Sequence, residues 1–137
     1  MIDHRYVRIV VRRPEGFLMV SQISLGGRYL FVGGKVEPNE EWVDAAIREF
    51  REEMNGEITG LTFLAEKVQC LEGGVMWHGR YYYADSIRGA LKNLEPEKHP
   101  QVVYMSLLDI MTNPNIHKVT KDIRHLLKDV PITELSV

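Results

Sequence analysis

The feature that most constrains the fold is a glycine-rich loop that runs directly into an amphipathic segment rich in carboxylates. Gly33 and Gly34 lie in the loop, and the segment extends to Met54. If the segment is helical, its apolar residues recur every three or four positions and form one stripe. The stripe consists of Val43, Ala46, Ile47, Phe50 and Met54. We therefore predict a helix that packs this stripe against a core.

Three carboxylates of the same segment share another side of the predicted helix. Glu49, Glu52 and Glu53 fall within about 100° of arc, away from the apolar stripe. Like charges at these spacings repel by a few tenths of a kcal/mol per pair, and a divalent cation would offset that cost. The alternative is that the glutamates form the solvated face of a surface helix. If they bind metal, Glu53→Gln should abolish turnover and slightly stabilise the metal-free protein.

The residues on either side of the segment set its ends. Pro38 favours a turn, and Asn39 is the predicted N-cap of the helix. Asn55 tolerates the left-handed conformation that ends many helices, so we expect the helix to stop there.

The spacing of these residues resembles a known sequence motif. Gly34, five residues, Glu40, seven residues and then Arg48-Glu49-Phe50-Arg51-Glu52-Glu53 are similar to the Nudix box of the MutT-like hydrolases. Two positions depart from the family pattern, since Asn55 stands where a glycine usually closes the box and Val32 replaces a common proline. The resemblance implies an α/β fold, the Nudix α/β/α sandwich around a mixed sheet, in one domain over residues 1–137.

The resemblance also implies roles for the residues of the box. Glu49, Glu52 and Glu53 would bind metal together with the carbonyl of Gly34, and Glu49 could also activate water. Arg48 would support catalysis by pairing with carboxylates of the same helix, Asp44 and Glu52, while Glu40 would cap the helix or pair with Arg48. Hard oxygen ligands suit Mg²⁺ or Mn²⁺, so we expect either ion as cofactor.

A second segment, Asn93 to His99, is polar and contains Pro96. From composition alone it is a charged surface loop. It is also similar to the Asn-x-Glu-Pro-Glu-Lys segment of Nudix enzymes that cleave nucleoside triphosphates, and Trp42 matches the same subgroup. Relatives use a glutamate from this loop as an extra metal ligand or base. We take Glu97 as the candidate ligand, with Glu95 as the alternative.

Candidate substrate-binding residues are less distinctive. Lys35 and Arg80 could contact phosphate, and His78 and Tyr82 lie on the same predicted strand as Arg80. Taken singly, each cation is equally an ordinary surface residue, and each aromatic residue can be core. The five histidines show no zinc-ligand spacing.

Composition limits the function classes. The chain has 137 residues, 45% of them hydrophobic, and a net charge of −2. No cationic stripe is present, so we expect no stable nucleic-acid binding. Cys70 is the only cysteine, which predicts a buried or inert thiol in a reducing compartment. No segment reaches membrane-spanning length, so we expect a cytoplasmic protein with no membrane association. The sequence leaves a homodimer open.

Periodicity and turn residues predict the remaining elements. Strands are expected at 6–13, 17–24, 29–32, 58–70, 75–84 and 102–105, a loop at 87–100, and helices at 107–111 and 119–128.

The function expected from these features is Mg²⁺-dependent hydrolysis of a nucleoside triphosphate, canonical or oxidised, to the monophosphate and pyrophosphate. One alternative is hydrolysis of another nucleoside diphosphate-linked compound, such as a nucleotide sugar. Another is a non-catalytic nucleotide-binding module, although such modules lose box carboxylates and this chain retains them.

Overall fold

The computed structural model of the protein describes residues 2–70 and 72–137. The strands are β1 (His4–Val10), β2 (Arg12–Arg13), β3 (Gly16–Gln22), β4 (Arg28–Leu30), β5 (Val32–Lys35), β6 (Glu57–Cys70), β7 (Met76–Arg88), β8 (Val102–Met105) and β9 (Glu134–Ser136). The α-helices are α1 (Trp42–Met54), α2 (Leu107–Thr112) and α3 (Lys118–Ile123), and 3-10 turns cover Ile23–Leu25, Glu72–Gly74 and Arg124–Asp129. In these residues no helix is both long and apolar enough to cross a membrane.

The strands form two sheets. The larger sheet has the order β5-β1-β7-β6, with β9 also paired to β7. Its β1–β7 and β7–β9 pairs are parallel and its β1–β5 and β6–β7 pairs are antiparallel, so the sheet is mixed. The smaller sheet contains β2, β3, β4 and β8. The predicted α/β fold around a mixed sheet is confirmed.

Helix α1 packs against β5, β1 and β6. Ala46, Phe50 and Met54 are buried as predicted, but Val43 is 45% exposed, so its place in the stripe is wrong. The predicted N-cap is also wrong: Asn39 has a φ of 67°, and Glu41 precedes the helix without a side-chain cap. Asn55 ends the helix in the left-handed conformation, as predicted.

Two expected strands are each divided between the two sheets. The run 6–13 breaks at Val11, where the chain leaves β1 and enters β2, and the run 29–32 breaks at Phe31, between β4 and β5. Val11 and Phe31 are completely buried. Because the residue at each break is apolar, the hydrophobic pattern of the sequence is continuous there and does not indicate where one strand ends and the next begins. The terminal helix is α3 followed by a 3-10 turn, and β9 was not expected.

Other expectations fail at single positions. Cys70 is exposed, which contradicts the expectation of a buried thiol. The expected loop at 87–100 begins only after Arg88, because β7 extends through that residue.

The parallel pair β1–β7 contains one close approach between side chain and backbone. Tyr6 lies opposite Gly79, and a Cβ built on Gly79 would overlap the Tyr6 ring. The Tyr6 hydroxyl lies 3.2 Å from that of Tyr81. Gly79 therefore lets the Tyr6 ring lie flat across β7.

Candidate active site

The glycine loop and helix α1 meet through a buried carboxylate. The backbone N–H of Gly33 donates to Glu53 Oε2 at 3.1 Å, and Glu53 is completely buried. A Cβ on Gly33 would collide with the carbonyl oxygen of Val7, so only glycine allows β5 to lie this close to β1. Glu49 is also buried. Two of the three box glutamates are therefore buried, which contradicts the alternative of a solvated face for these two residues.

Glu53 has two further donors, both from the loop after β7. His99 Nε2 lies 2.9 Å and Lys98 Nζ 3.2 Å from Glu53 Oε1. His99 is itself buried, and its Nδ1–H donates to the carbonyl oxygen of Ser21 at 2.9 Å. Burial alone would raise the pKa of Glu53, but the hydrogen bond from His99 and the charges of His99 and Lys98 outweigh it and lower that pKa.

The loop that carries these donors is held in shape by its own hydrogen bonds. Asn93 Nδ2 donates to the carbonyl oxygen of His99 at 2.7 Å, and its Oδ1 accepts from the N–H of Glu95 at 3.1 Å. The N–H of Leu94 donates to the carbonyl oxygen of Glu53 at 2.9 Å, which ties the loop to the end of α1. Composition predicted a charged surface loop and missed the buried imidazole, although His99 is the last residue of the segment singled out in the sequence.

Glu53, Glu95 and His99 form a candidate metal-binding group. One ligand atom from each lies within 4.8 Å of the others. Glu95 is half-buried, whereas Glu97 is exposed. Of the two glutamates left open by the sequence, the loop thus turns Glu95 toward Glu53. The two carboxylates supply oxygen donors that a divalent cation fits, whereas His99 Nε2 can either donate to Glu53 or bind a cation, but not both.

Arg48 connects the carboxylates of the box. Its Nε and Nη2 bind the two oxygens of Glu40 at 2.8 and 2.9 Å, and its Nη1 lies 3.0 Å from Glu49 Oε1 and 3.3 Å from Glu52 Oε2. Its Nη2 also donates to the carbonyl oxygen of Lys35 at 3.0 Å. The hydrogen bond from Arg48 lowers the pKa of Glu40. The expected pairs with Glu40 and Glu52 form, and in the described part of the chain Asp44 is not an ion-pair partner of Arg48.

Glu49 lies against the backbone of the glycine loop. A Cβ on Gly34 would come within 2.5 Å of the Glu49 carboxylate. Burial raises the pKa of Glu49, the charge of Glu53 raises it further, and Arg48 opposes both. The third box carboxylate, Glu52, has a side chain 54% exposed at the rim of the site.

The four expected substrate-binding residues do not converge. Lys35 borders a cavity of about 390 Å³ and lies over the ring of Trp77. His78, Arg80 and Tyr82 point to the opposite face of β7, because side chains alternate along a strand. On that face the ring of Trp42 contacts His78 and stacks under Arg80, Glu66 pairs with both of these side chains, and Tyr82 is buried.

The cavity beside Lys35 includes a residue that the sequence did not single out. Arg8 lines it, together with Tyr6 and Trp77. An arginine within a predicted strand is normally assigned to the exposed face, so periodicity alone offered no signal for it.

Comparison with known proteins places the chain in a family. The sequence matches the model of the NUDIX domain family over residues 3–130. The chain belongs to the Nudix family. It is a Nudix hydrolase, and the carboxylates held by Arg48 and by the Gly33 N–H are those of its Nudix box.

Relatives of this Nudix hydrolase agree with the assignment. The CTP pyrophosphohydrolase of Escherichia coli K12 is 29% identical over 111 residues, which cover 79% of each chain. A MutT NUDIX hydrolase of Burkholderia pseudomallei superposes with a TM-score of 0.81 at 21% identity, covering 90% of this chain and 97% of that one. The E. coli ORF135 protein superposes at 0.80 with 23% identity, covering 93% and 90%. At these identities the two solved structures show a shared fold.

Proposed function

We propose that this Nudix hydrolase cleaves a nucleoside triphosphate to the monophosphate and pyrophosphate, with Mg²⁺ or Mn²⁺ as cofactor. The observation that carries the proposal is the position of the buried box carboxylates. They lie against residues 33–35 of β5, and Lys35 of the same strand borders an aromatic cavity large enough for a nucleobase. Phosphates at the carboxylates and a base in the cavity would make one continuous nucleotide site. The E. coli relative, a CTP pyrophosphohydrolase, has an activity of the same class.

The metal would be held by Glu49, Glu53 and Glu95, with Glu52 at the rim and the carbonyl of Gly34 as an additional ligand. When bound, a divalent ion neutralises charge on the diphosphate and lowers the pKa of bound water. Glu49 is the group we assign as general base, and its hydrogen bond from Arg48 Nη1 orients it. Arg48 is a positioning residue, since it also fixes the loop through the Lys35 carbonyl. His99 and Lys98 position Glu53.

We further propose that residues 1–137 form one domain that acts in the cytoplasm. The support is the match of the family over residues 3–130 and the presence of a single cysteine, which is usual for proteins of a reducing compartment.

The experiment is a panel of nucleoside triphosphates, canonical and oxidised, incubated with the protein and Mg²⁺ or Mn²⁺. Pyrophosphate and the monophosphate should both be released, and Glu53→Gln should release neither. Nucleotide sugars belong in the same panel. Release of a sugar phosphate would favour the alternative activity, which is hydrolysis of a nucleoside diphosphate-linked compound. A protein that leaves every triphosphate intact would overturn the proposal.

A further inference from the structure

The cavity beside the active-site loop lies between the larger sheet and the start of α3. Its walls are apolar and aromatic, with Tyr6 and Trp77 from the sheet, Leu25 from the turn after β3, and Val119 from α3. Its volume of about 390 Å³ is in the range of small-molecule sites. Flat aromatic walls of this kind suit a planar ring.

In the described part of the chain, Arg8 is one of three cationic residues that line this cavity, together with Lys35 and Lys118. It lies on β1 opposite Gly33, whose N–H binds Glu53, so the guanidinium sits one strand from the carboxylate site. Arg8 Nη1 donates to the carbonyl oxygen of Phe31 at 3.2 Å. Its Nε is buried and has no hydrogen-bond partner. Among residues 2–70 and 72–137, it is the only buried side-chain nitrogen or oxygen without one. Buried polar groups of folded proteins are nearly always paired, so this donor is suited to an incoming acceptor.

The other polar residues that line the cavity are Gln22, Lys35, Gln69, His117 and Lys118. The two glutamines donate through Nε2 to Ser24 and Asp122, and their side-chain oxygens are acceptors. His117 Nδ1 accepts the N–H of Val119 at 3.2 Å, so the neutral ring carries its proton on Nε2. Burial and the charge of Arg8 lower the pKa of His117, which keeps the ring neutral. Lys35 adds a further donor at the edge. No aspartate or glutamate is among the described residues that line the cavity. A ligand that reaches the unpaired Nε of Arg8 must therefore present an acceptor to it.

We propose that Arg8 is a specificity-determining residue that donates a hydrogen bond to a carbonyl oxygen on the substrate's base. Guanine, cytosine and uracil carry such a ring carbonyl, and adenine does not. The inference rests on the proposed function, because it assumes that a nucleotide occupies the cavity. A phosphate at Arg8 is the competing occupant. Tyr6, Trp77 and Leu25 would surround a phosphate there with apolar groups, although the ammonium groups of Lys35 and Lys118 also line the cavity.

Turnover supplies the first test. Wild type should hydrolyse GTP, CTP or UTP with a kcat/KM about five- to a hundredfold above that for ATP, the range expected for one good contact to a base edge. In Arg8→Met this preference should disappear, because kcat/KM should fall for GTP, CTP and UTP and stay unchanged for ATP. Arg88→Met removes an exposed arginine at the far end of β7 and should keep the wild-type preference. Wild type with ATP as its best substrate would overturn the inference without any variant.

Binding without metal supplies the second test, and it separates this inference from the proposed function. GMP, CMP, UMP and AMP are titrated in chelator, with the fluorescence of Trp77 as the signal, since that ring lines the cavity. Wild type should bind the carbonyl-bearing monophosphates more tightly than AMP, and Arg8→Met should bind all four alike. If this pattern appears but no triphosphate is hydrolysed, the proposed function fails and the role of Arg8 stands.

Inorganic pyrophosphate distinguishes the competing occupant. Its inhibition constant in the turnover assay and its dissociation constant in the fluorescence titration should both be the same for Arg8→Met as for wild type. An equal loss of pyrophosphate and nucleotide affinity would assign Arg8 to phosphate and overturn the inference. Arg8→Lys keeps the charge but not the fork of donors, so it should restore little of the base preference. Both variants are checked by thermal unfolding, and Arg8→Met should remain folded because it replaces a buried charge by an apolar chain of similar length.

Discussion

His99 Nε2 lies 2.9 Å from Glu53 Oε1, and both side chains are almost completely buried. The other oxygen of Glu53 accepts the N–H of Gly33. With Lys98 as a third donor, the carboxylate is satisfied from the glycine loop on one side and the later loop on the other. Glu53 is therefore a structural junction as well as a candidate metal ligand.

Glu53→Gln should abolish turnover and also destabilise the metal-free protein. From the sequence, relief of repulsion between glutamates predicted a slight gain in stability, but the structure shows that Glu53 is held by cationic donors. A buried amide cannot accept from His99 and Lys98 as strongly as the carboxylate does, and the loss should be about 1–3 kcal/mol in the free energy of unfolding. Urea unfolding in chelator measures it.

The matched control is Glu52→Gln, since the Glu52 side chain is 54% exposed. Its free energy of unfolding should stay within about 0.5 kcal/mol of wild type. If Glu53→Gln were more stable than wild type in chelator, the hydrogen bonds from His99 and Lys98 would contribute nothing to the fold.

Glu49 should make the stability of the metal-free protein depend on pH in a defined direction. Burial raises the pKa of Glu49 in the folded state above its unfolded value. The folded protein then binds the proton more tightly, so this contribution to stability is fully present below the unfolded pKa and is lost as pH rises through the folded pKa. Glu49→Gln removes the titration. The difference in unfolding free energy, wild type minus variant, should therefore fall as pH rises from about 4 toward neutrality.

Denaturant unfolding at a series of pH values in chelator checks this difference. Glu134→Gln, at an exposed position on β9, is the control and should follow wild type at every pH. A difference that grew with pH would mean that Arg48 outweighs burial at Glu49.

Divalent metal should stabilise the wild-type protein against heat. Mg²⁺ or Mn²⁺ bound only to the folded state adds about 2.7 kcal/mol at a hundred times its dissociation constant, and excess chelator should remove the gain. Glu53→Gln should show a much smaller shift. Sodium chloride at matched ionic strength is the control, and an equal effect of both salts would indicate screening of the carboxylates rather than metal binding.

Phe50→Ala should cost about 3–5 kcal/mol of stability, because the ring is completely buried and its removal leaves a cavity. Val43→Ala on the same helix is the comparison, since Val43 is 45% exposed. The free energy of unfolding of Val43→Ala should stay within about 0.5 kcal/mol of the wild-type value. Equal costs for the two variants, measured by chemical denaturation, would contradict the orientation of α1.

The parts of the site that could be predicted from the sequence are those encoded within one short segment. The Nudix box, the end of α1 at Asn55 and the pair of Arg48 with Glu40 all depend on spacing over a few residues. The contact of His99 with Glu53 joins residues that are 46 positions apart, so no sequence pattern within one short segment could predict it. Arg8 escaped notice for a related reason, since its cavity forms only when β1, the turn after β3 and α3 come together.

The close approach of Gly79 and Tyr6 has a consequence for how this site can vary among related proteins. The Tyr6 ring forms a wall of the cavity only because residue 79 has no side chain. In a relative with any larger residue at the position of Gly79, an aromatic ring at the position of Tyr6 would overlap that side chain. Such a relative should have a smaller residue at the position of Tyr6, and the shape of its cavity should differ as a result. The two positions should therefore covary, and the residue type at position 79 should sort relatives by the size of the group they admit.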